Sequence, residues 1–190
     1  MGDLSHSVLI VSASEKFAVF VRRSLKGFPA VDVRKSGAVA RREIMERFYD
    51  LIIINAPLSD ETGEEFALDA ACECEAGILL VVPSEVYDIA LERMTDRGIM
   101  VLSKPLQTGT LDHGIRFLMA VQNTLRGYRR QVRQAHEKLE DMRVIDKAKF
   151  LLVEKKHMSE DEAHRLIGKR AMDNSVSRRR VAEEIIEQMK

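Results

Sequence analysis

Ten cationic side chains, Lys147, Lys149, Lys155, Lys156, Arg165, Lys169, Arg170, Arg178, Arg179 and Arg180, crowd into fewer than forty residues near the end of the sequence. Lysine and arginine at that density suit contacts to the phosphates of a polyanion, because each neutralised phosphate releases a counterion. Arg178-Arg179-Arg180 fall in the first turn of a predicted helix, where the macrodipole disfavours cations. An anion bound there would remove the conflict. A second set of polar residues, Ser12, Asn55 and Ser103-Lys104, each follows a short apolar run. Cys72 and Cys74 stand too close for a usual disulfide and lack the second half of a zinc site, so they read as two reduced thiols. His157 and His164 are seven apart with no converging carboxylate or thiol set and read as surface histidines. No Ser/His/Asp set, P-loop or GxGxxG motif occurs. No catalytic residue, metal site or cofactor is expected, and an enzyme is the least favoured class.

The elements that position these groups follow from the apolar pattern. Val8–Val11, Leu51–Ile54 and Ile78–Val82 are continuous apolar runs of four or five, the signature of strands buried on both faces. Val31–Val33 and Ile99–Leu102 are weaker candidates of the same kind. Helical spacing fills residues 15–26, 37–48, 62–71 and 86–97. Five strand–helix alternations imply an α/β fold, a five-stranded doubly wound parallel sheet whose functional site lies at the carboxyl ends of the strands. Those ends are near Ser12, Asn55, Val82 and Ser103.

Past Pro105 the pattern changes. Leu111, Gly114, Leu118, Val121, Leu125, Tyr128, Val132, Ala135, Leu139 and Met142 are spaced alternately by three and four, a heptad seam held for more than four repeats. A second copy of the chain would cover it, through Leu118, Val121, Leu125, Tyr128, Val132, Leu139 and Met142. Gly114 and Gly127 each weaken helix propensity by about 1 kcal/mol and mark points where the helix would bend. Three helices close the sequence. The first continues to about Lys156, the second starts at the capping box Ser159-Glu160-Asp161-Glu162, and the third starts near Ser177. Ile145, Ala148, Leu152, Ala163, Ile167, Ala171, Val181, Ile185 and Met189 supply a small core.

The formal net charge of zero hides an asymmetry. Residues 1–110 carry 12 Lys+Arg against 17 Asp+Glu, and residues 111–190 carry 18 against 13. An acidic module is joined to a basic one. No apolar run approaches the roughly 20 residues that cross a membrane. The start, Met1 to Ser12, lacks the basic segment and cleavage site of a signal peptide, so a cytoplasmic location without membrane contact is expected.

Residues 6–120 resemble a response-regulator receiver. The resemblance rests on the five alternations, Asp50–Ile54 leading into Asn55-Ala56-Pro57, Gly63, and Lys104-Pro105. A working receiver has an aspartate acceptor after the third strand, two metal-binding acids after the first, a hydroxyl residue after the fourth and a lysine after the fifth. The matching positions hold Asn55, Ser12 with Ala13, Val82 and Lys104, so only the lysine survives. A neutral amide forms no acyl phosphate, and the resemblance implies a pseudo-receiver whose state is set by a regulatory protein, a small ligand or nothing.

Residues 137–188 are similar to an ANTAR domain, through Arg143–Lys149, Leu152, Met158–Ala163, Ile167–Asp173 and Val181–Ile186. Gly168 departs from the longer, often basic residue common there. The resemblance implies dimeric antiterminators that bind stem-loops with hexanucleotide loops in leader RNA. Arg143, Lys147, Ala148, Lys149, Arg165, Lys169, Arg170, Arg178, Arg179 and Arg180 are the expected RNA contacts, with small residues such as Ala148 and Ala171 admitting a nucleotide close to the helix. The expected layout is a receiver-like domain over 1–120, a coiled-coil helix over 111–143 and the RNA-binding domain over 137–190. A DNA-binding response regulator and a module that sequesters a partner protein are the alternatives.

Overall fold

The computed structural model describes residues 6–189. Met1 to Ser5, where the reading of the N-terminal start begins, and Lys190 lie outside them. Five strands, β1 (Ser7–Val11), β2 (Ala30–Arg34), β3 (Leu51–Asn55), β4 (Gly77–Val82) and β5 (Ile99–Ser103), form one parallel sheet in the order β2-β1-β3-β4-β5. The intervening helices are α1 (Glu15–Ser24), α2 (Gly37–Glu46), α3 (Glu64–Glu73) and α4 (Tyr87–Thr95), the last preceded by a 3-10 turn at Ser84–Val86. All five expected strands and all four helices are present.

The sheet explains the apolar runs. Every residue of β3 and β4 is buried, whereas edge strand β2 is half-buried throughout. Alternate side chains feed two cores. Leu9, Val11, Ile52, Ile54 and Leu80 pack with Ala40 and Phe66 from α2 and α3 on one face. Val8, Ile10, Leu51, Ile53 and Leu79 pack with Ala18 and Val21 from α1 on the other. Gly63 starts α3 with φ +89°, a left-handed conformation that a side chain would strain.

The chain divides into two compact units, the first ending at Arg126 and the second starting at Gly127. Helix α5 (Thr108–Lys156) is continuous over 49 residues, with no break at either glycine. Gly114 has a positive reason to be glycine: a Cβ there would come within 3.1 Å of Met100 Sδ and 3.2 Å of Leu79 Cδ1. Its bare backbone lets α5 lie close on β4 and β5.

The heptad reading needs a correction at its first part. Leu111 and Leu118 are buried together with Ile115 and Met119 in the sheet's own core. Leu118 therefore belongs to the receiver-like unit, not to a seam awaiting a second chain. The exposed stretch begins later: Val121, Leu125, Tyr128, Val132, Leu139 and Met142 all stand in solvent. The period cannot tell these stretches apart, because a sheet and a second helix ask the same spacing of α5.

In the second unit, the end of α5 packs with α6 (Glu160–Asp173) and α7 (Arg178–Gln188) around Ala148, Leu152, Ala163, Ile167, Ala171, Val181, Ala182 and Ile185. Ile145 and Met189 are partly buried against them. The capping box forms as its sequence implies: the Ser159 hydroxyl accepts from Glu162 N–H, and the Glu162 carboxylate accepts from Ser159 N–H at 2.8 Å. Ser177 caps α7 by accepting from Arg180 N–H. Among the described residues, no helix is long and apolar enough to cross a membrane.

Candidate functional sites: a closed polar pocket and a cationic helical face

In the order β2-β1-β3 the parallel sheet grows first to one side of β1 and then to the other, and the crevice at the carboxyl ends of β1 and β3 is where open α/β sheets bind ligands. Ser12 and Asn55 sit there side by side, 1% and 6% exposed. The Asn55 amide donates to Ser12 Oγ at 2.9 Å. Ser12 Oγ in turn accepts from Ser14 N–H and donates to the Ser14 carbonyl, both at 3.1 Å. The Lys104 ammonium donates to the Ala56 carbonyl, and its backbone N–H to the Val82 carbonyl. Burial pushes the Lys104 ammonium below its ordinary pKa. Val82 is buried and brings only methyl groups, while Ala13 is exposed and offers no ligand atom.

All five pocket residues expected from sequence thus fall at this end of the sheet, and Ser12, Asn55 and Lys104 are held by hydrogen bonds within the unit. The arrangement has a cation and neutral polar groups but no carboxylate among the five. It can orient a polar group, and position 55 offers an amide in place of a carboxylate. One polar atom is left over: Asn55 Oδ1 is buried and accepts no hydrogen bond.

A carboxylate that sequence reasoning missed lies nearby in the chain. Asp60 accepts from Ala38 and Gly37 N–H at 3.0 and 2.8 Å, capping α2, and those two amides hold its carboxyl below the ordinary range. At the opposite, amino end of the sheet, buried Asp50 accepts from Ser7 N–H at 2.6 Å and pairs with Arg126. That ion pair fixes α5 at the last residue of the first unit.

In the second unit the expected cations sort into two groups. Arg179 lies 2.9 Å from both Asp141 and Glu183, Arg180 lies 3.1 Å from Glu184, and Arg143 lies 2.7 Å from Glu140. Lys149 lies 2.8 Å from Asp146 and 3.0 Å from Glu160, and those carboxylates raise its pKa. Arg165 donates to the Asp161 carbonyl at 3.3 Å. By contrast Lys147, Lys169, Arg170 and Arg178 are exposed and, among the described residues, have no ion-pair partner within 4 Å. The Arg178 guanidinium lies beside Gly168, where a Cβ would be in ordinary contact at 3.8 Å.

Ala148 is a correction. It is 0% exposed, and Ala171 is 7% exposed, both within the three-helix core. Their small size admits neighbouring helices, not a nucleotide, so Ala148 leaves the set of contact residues. His157 and His164 are exposed, and no group of metal-binding side chains occurs among the described residues.

Residues 133–186 match the family of the ANTAR domain. The chain is 29% identical, over 139 residues, to the transcriptional regulatory protein PdtaR of Mycobacterium tuberculosis, a match that covers 73% of this chain and 67% of that protein. Solved structures share the fold of the first unit. A signal receiver domain of an HD domain-containing protein from Pseudomonas fluorescens Pf-5 superposes with a TM-score of 0.59 at 18% identity, covering 67% of this chain and 96% of that one. A response regulator receiver domain from Clostridium thermocellum gives 0.56 at 14%, covering 63% and 98%. A structure from Rhodopirellula baltica described as an adenylate cyclase gives 0.63 at 16%, covering 68% and 98%. At these identities the likeness is one of fold alone.

Proposed function

We propose that this chain, in which a receiver fold is joined to an ANTAR domain, is a transcription antiterminator that binds stem-loops in leader RNA as a homodimer. The observation that carries the reading is the exposed, unpaired set Lys147, Lys169, Arg170 and Arg178 on the unit that matches the ANTAR domain. The regulatory relative supports the same direction, since its name makes it a transcriptional regulatory protein. RNA loops splay their bases outward, and a small helical unit reads them with side chains while its cations hold the phosphates.

The remaining parts fit that role. Val121, Leu125, Tyr128, Val132, Leu139 and Met142 form a stripe of exposed apolar side chains, which a second copy covers in a coiled coil. Two RNA-binding units on one dimer engage two loops and gain avidity where the spacing of the loops matches. The receiver fold serves without phosphoryl transfer: Asn55 lacks the nucleophilic oxygen, and Ser12 and Ala13 provide no carboxylate for a metal. A binding partner, protein or small ligand, sets its state. The protein acts in the cytoplasm, where RNA is made.

The test measures binding of the full chain to a two-stem-loop leader RNA, to the same RNA with one loop altered, and to duplex DNA. The reading expects tight binding to the first, a loss of at least ten-fold for the second and weak, salt-sensitive binding to the third. Equal affinity for all three reduces the interaction to non-specific electrostatics. Preference for the duplex makes the protein a DNA-binding regulator.

A further inference from the structure

A cleft between α1 and the start of α5 has no part in the proposed RNA contacts. It measures about 480 Å³ and lies wholly within the first unit. That is within the roughly 300–1,000 Å³ of small-molecule sites. Its apolar wall is Phe28, Ile115 and Met119, which pack into the core on that side of the sheet. Two arginines line it from different helices, Arg23 on α1 and Arg116 on α5. Both are exposed, and neither has an ion-pair or hydrogen-bond partner among the described residues.

One carboxylate shares the cleft with them, that of Asp112. Asp112 Oδ1 is buried and accepts no hydrogen bond. Asp112 stands four residues before Arg116 on α5. That spacing puts their Cβ atoms about 5–6 Å apart, within reach of an ion pair. The two side chains form none, so a positive and a negative group stand side by side without a mutual contact. Each feature asks something different of an occupant. Two guanidiniums ask for a carboxylate, whose oxygens match their planar forks. Asp112 asks for a cationic donor close to that carboxylate. Phe28 and Met119 ask for an apolar body. A phosphate dianion meets the first demand and is repelled by Asp112. A fatty acid meets the first and third and leaves Asp112 unanswered. An α-amino acid carries its ammonium one carbon from its carboxylate and can meet all three.

We infer that this cleft binds a free α-amino acid with a large apolar side chain. Arg23 and Arg116 donate to its carboxylate, Asp112 accepts from its ammonium, and its side chain lies on Phe28 and Met119. This gives the small ligand of the reading above a chemical class and a place. The test uses no RNA, so either reading can fail alone. An acidic segment of a partner protein is the competing occupant, and it supplies a carboxylate without an adjacent ammonium.

The experiment titrates the full chain with L-phenylalanine and follows its amide resonances. Those of Ser24, Phe28, Asp112 and Arg116 should move and saturate, with a Kd on the order of 1 mM or below. 3-Phenylpropionate lacks the ammonium and phenethylamine lacks the carboxylate, and each should bind about ten-fold more weakly. Asp112→Asn should weaken phenylalanine by a similar factor and leave 3-phenylpropionate unchanged. Arg116→Ala should weaken phenylalanine and 3-phenylpropionate and leave phenethylamine unchanged. Absence of saturation by about 20 mM phenylalanine overturns the site. 3-Phenylpropionate binding as tightly as phenylalanine assigns the arginines to a simple carboxylate, as an acidic segment would supply, and overturns the amino-acid reading. Equal weakening of all three probes by Asp112→Asn makes that residue a support of the fold alone and overturns it too.

Discussion

The two functional regions of this protein treat polar groups in opposite ways. At the carboxyl ends of β1 and β3, Ser12 and Asn55 are buried and hydrogen-bonded to each other and to backbone, and Lys104 is turned onto a carbonyl. On the helical unit, Lys147, Lys169, Arg170 and Arg178 point into water. The first region lies at the ligand-binding end of the sheet and, on the proposed reading, lacks the groups that take up a phosphoryl group. The second presents cations without ion-pair partners to solvent. Position on a fold and chemistry of the side chains are separable, and function follows the latter.

The sharpest break of this comparison would be to make the closed pocket reactive. Wild type, incubated with radiolabelled acetyl phosphate and Mg²⁺, should remain unlabelled at position 55. Asn55→Asp alone should also stay unlabelled, because Ser12 and Ala13 offer no carboxylate to help hold the metal. Adding Ser12→Asp and Ala13→Asp should turn labelling on. Three carboxylates at one sheet end repel one another without a cation, so this variant should melt lower than wild type in chelator and recover with Mg²⁺. Labelling of wild type would end the distinction between the two regions.

A smaller effect separates the inward and outward parts of α5. Leu118→Ala opens a cavity in the sheet's core and should cost about 3 kcal/mol, independent of protein concentration. Leu125→Ala removes a side chain that is 40% exposed and should leave the first unit's stability nearly unchanged. Its effect should appear as a weaker dimer, in denaturation curves that shift with concentration. Similar, concentration-independent losses for both would mean that the exposed stripe serves only its own chain.

That pair of leucines also marks what the sequence could and could not reveal. Runs such as Leu51–Ile54 have one stable home, between two helical layers, and they placed the sheet, its order of elements and the pocket ends without ambiguity. That position 55 holds an amide and not a carboxylate was legible too, whatever the packing. Leu118 and Leu125 occupy equivalent seam positions, and only tertiary contact distinguishes them. Ala148 failed for a related reason: a small residue on a cationic helix fits a close ligand and a close helix equally well. The sequence was silent on ion pairs such as Lys149 with Glu160, 11 residues apart, because they depend on how α6 folds back on α5.

The outward-facing unit is small, so its caps should matter. Ser159→Ala should destabilise it by about 1 kcal/mol, read by amide exchange in α6. The Ser159 N–H and hydroxyl hold the Glu162 carboxyl below its ordinary range. A depressed carboxyl contributes stability above its unfolded pKa, and loses it as pH falls through the folded value. Wild-type α6 should therefore loosen at acid pH beyond what Glu162→Ala shows, and equal acid sensitivity would remove the cap from the account.

The smallest difference tests whether pairing within the helical unit matters for binding at all. Arg178 and Arg179 are adjacent at the start of α7, both exposed, and differ mainly in their neighbours. Arg179 must leave Asp141 and Glu183 before it meets a phosphate, so much of its gain on binding is offset. Arg178 gives up only water. At about 0.15 M salt one phosphate contact is worth roughly five-fold in affinity. Arg178→Ala should therefore lose about five-fold and lower the salt slope by about one. Arg179→Ala should lose about two-fold, and Asp141→Ala should tighten binding by relieving the competition. If Arg179→Ala costs as much as Arg178→Ala, the ion pairs open without penalty, and exposure alone defines the cationic face.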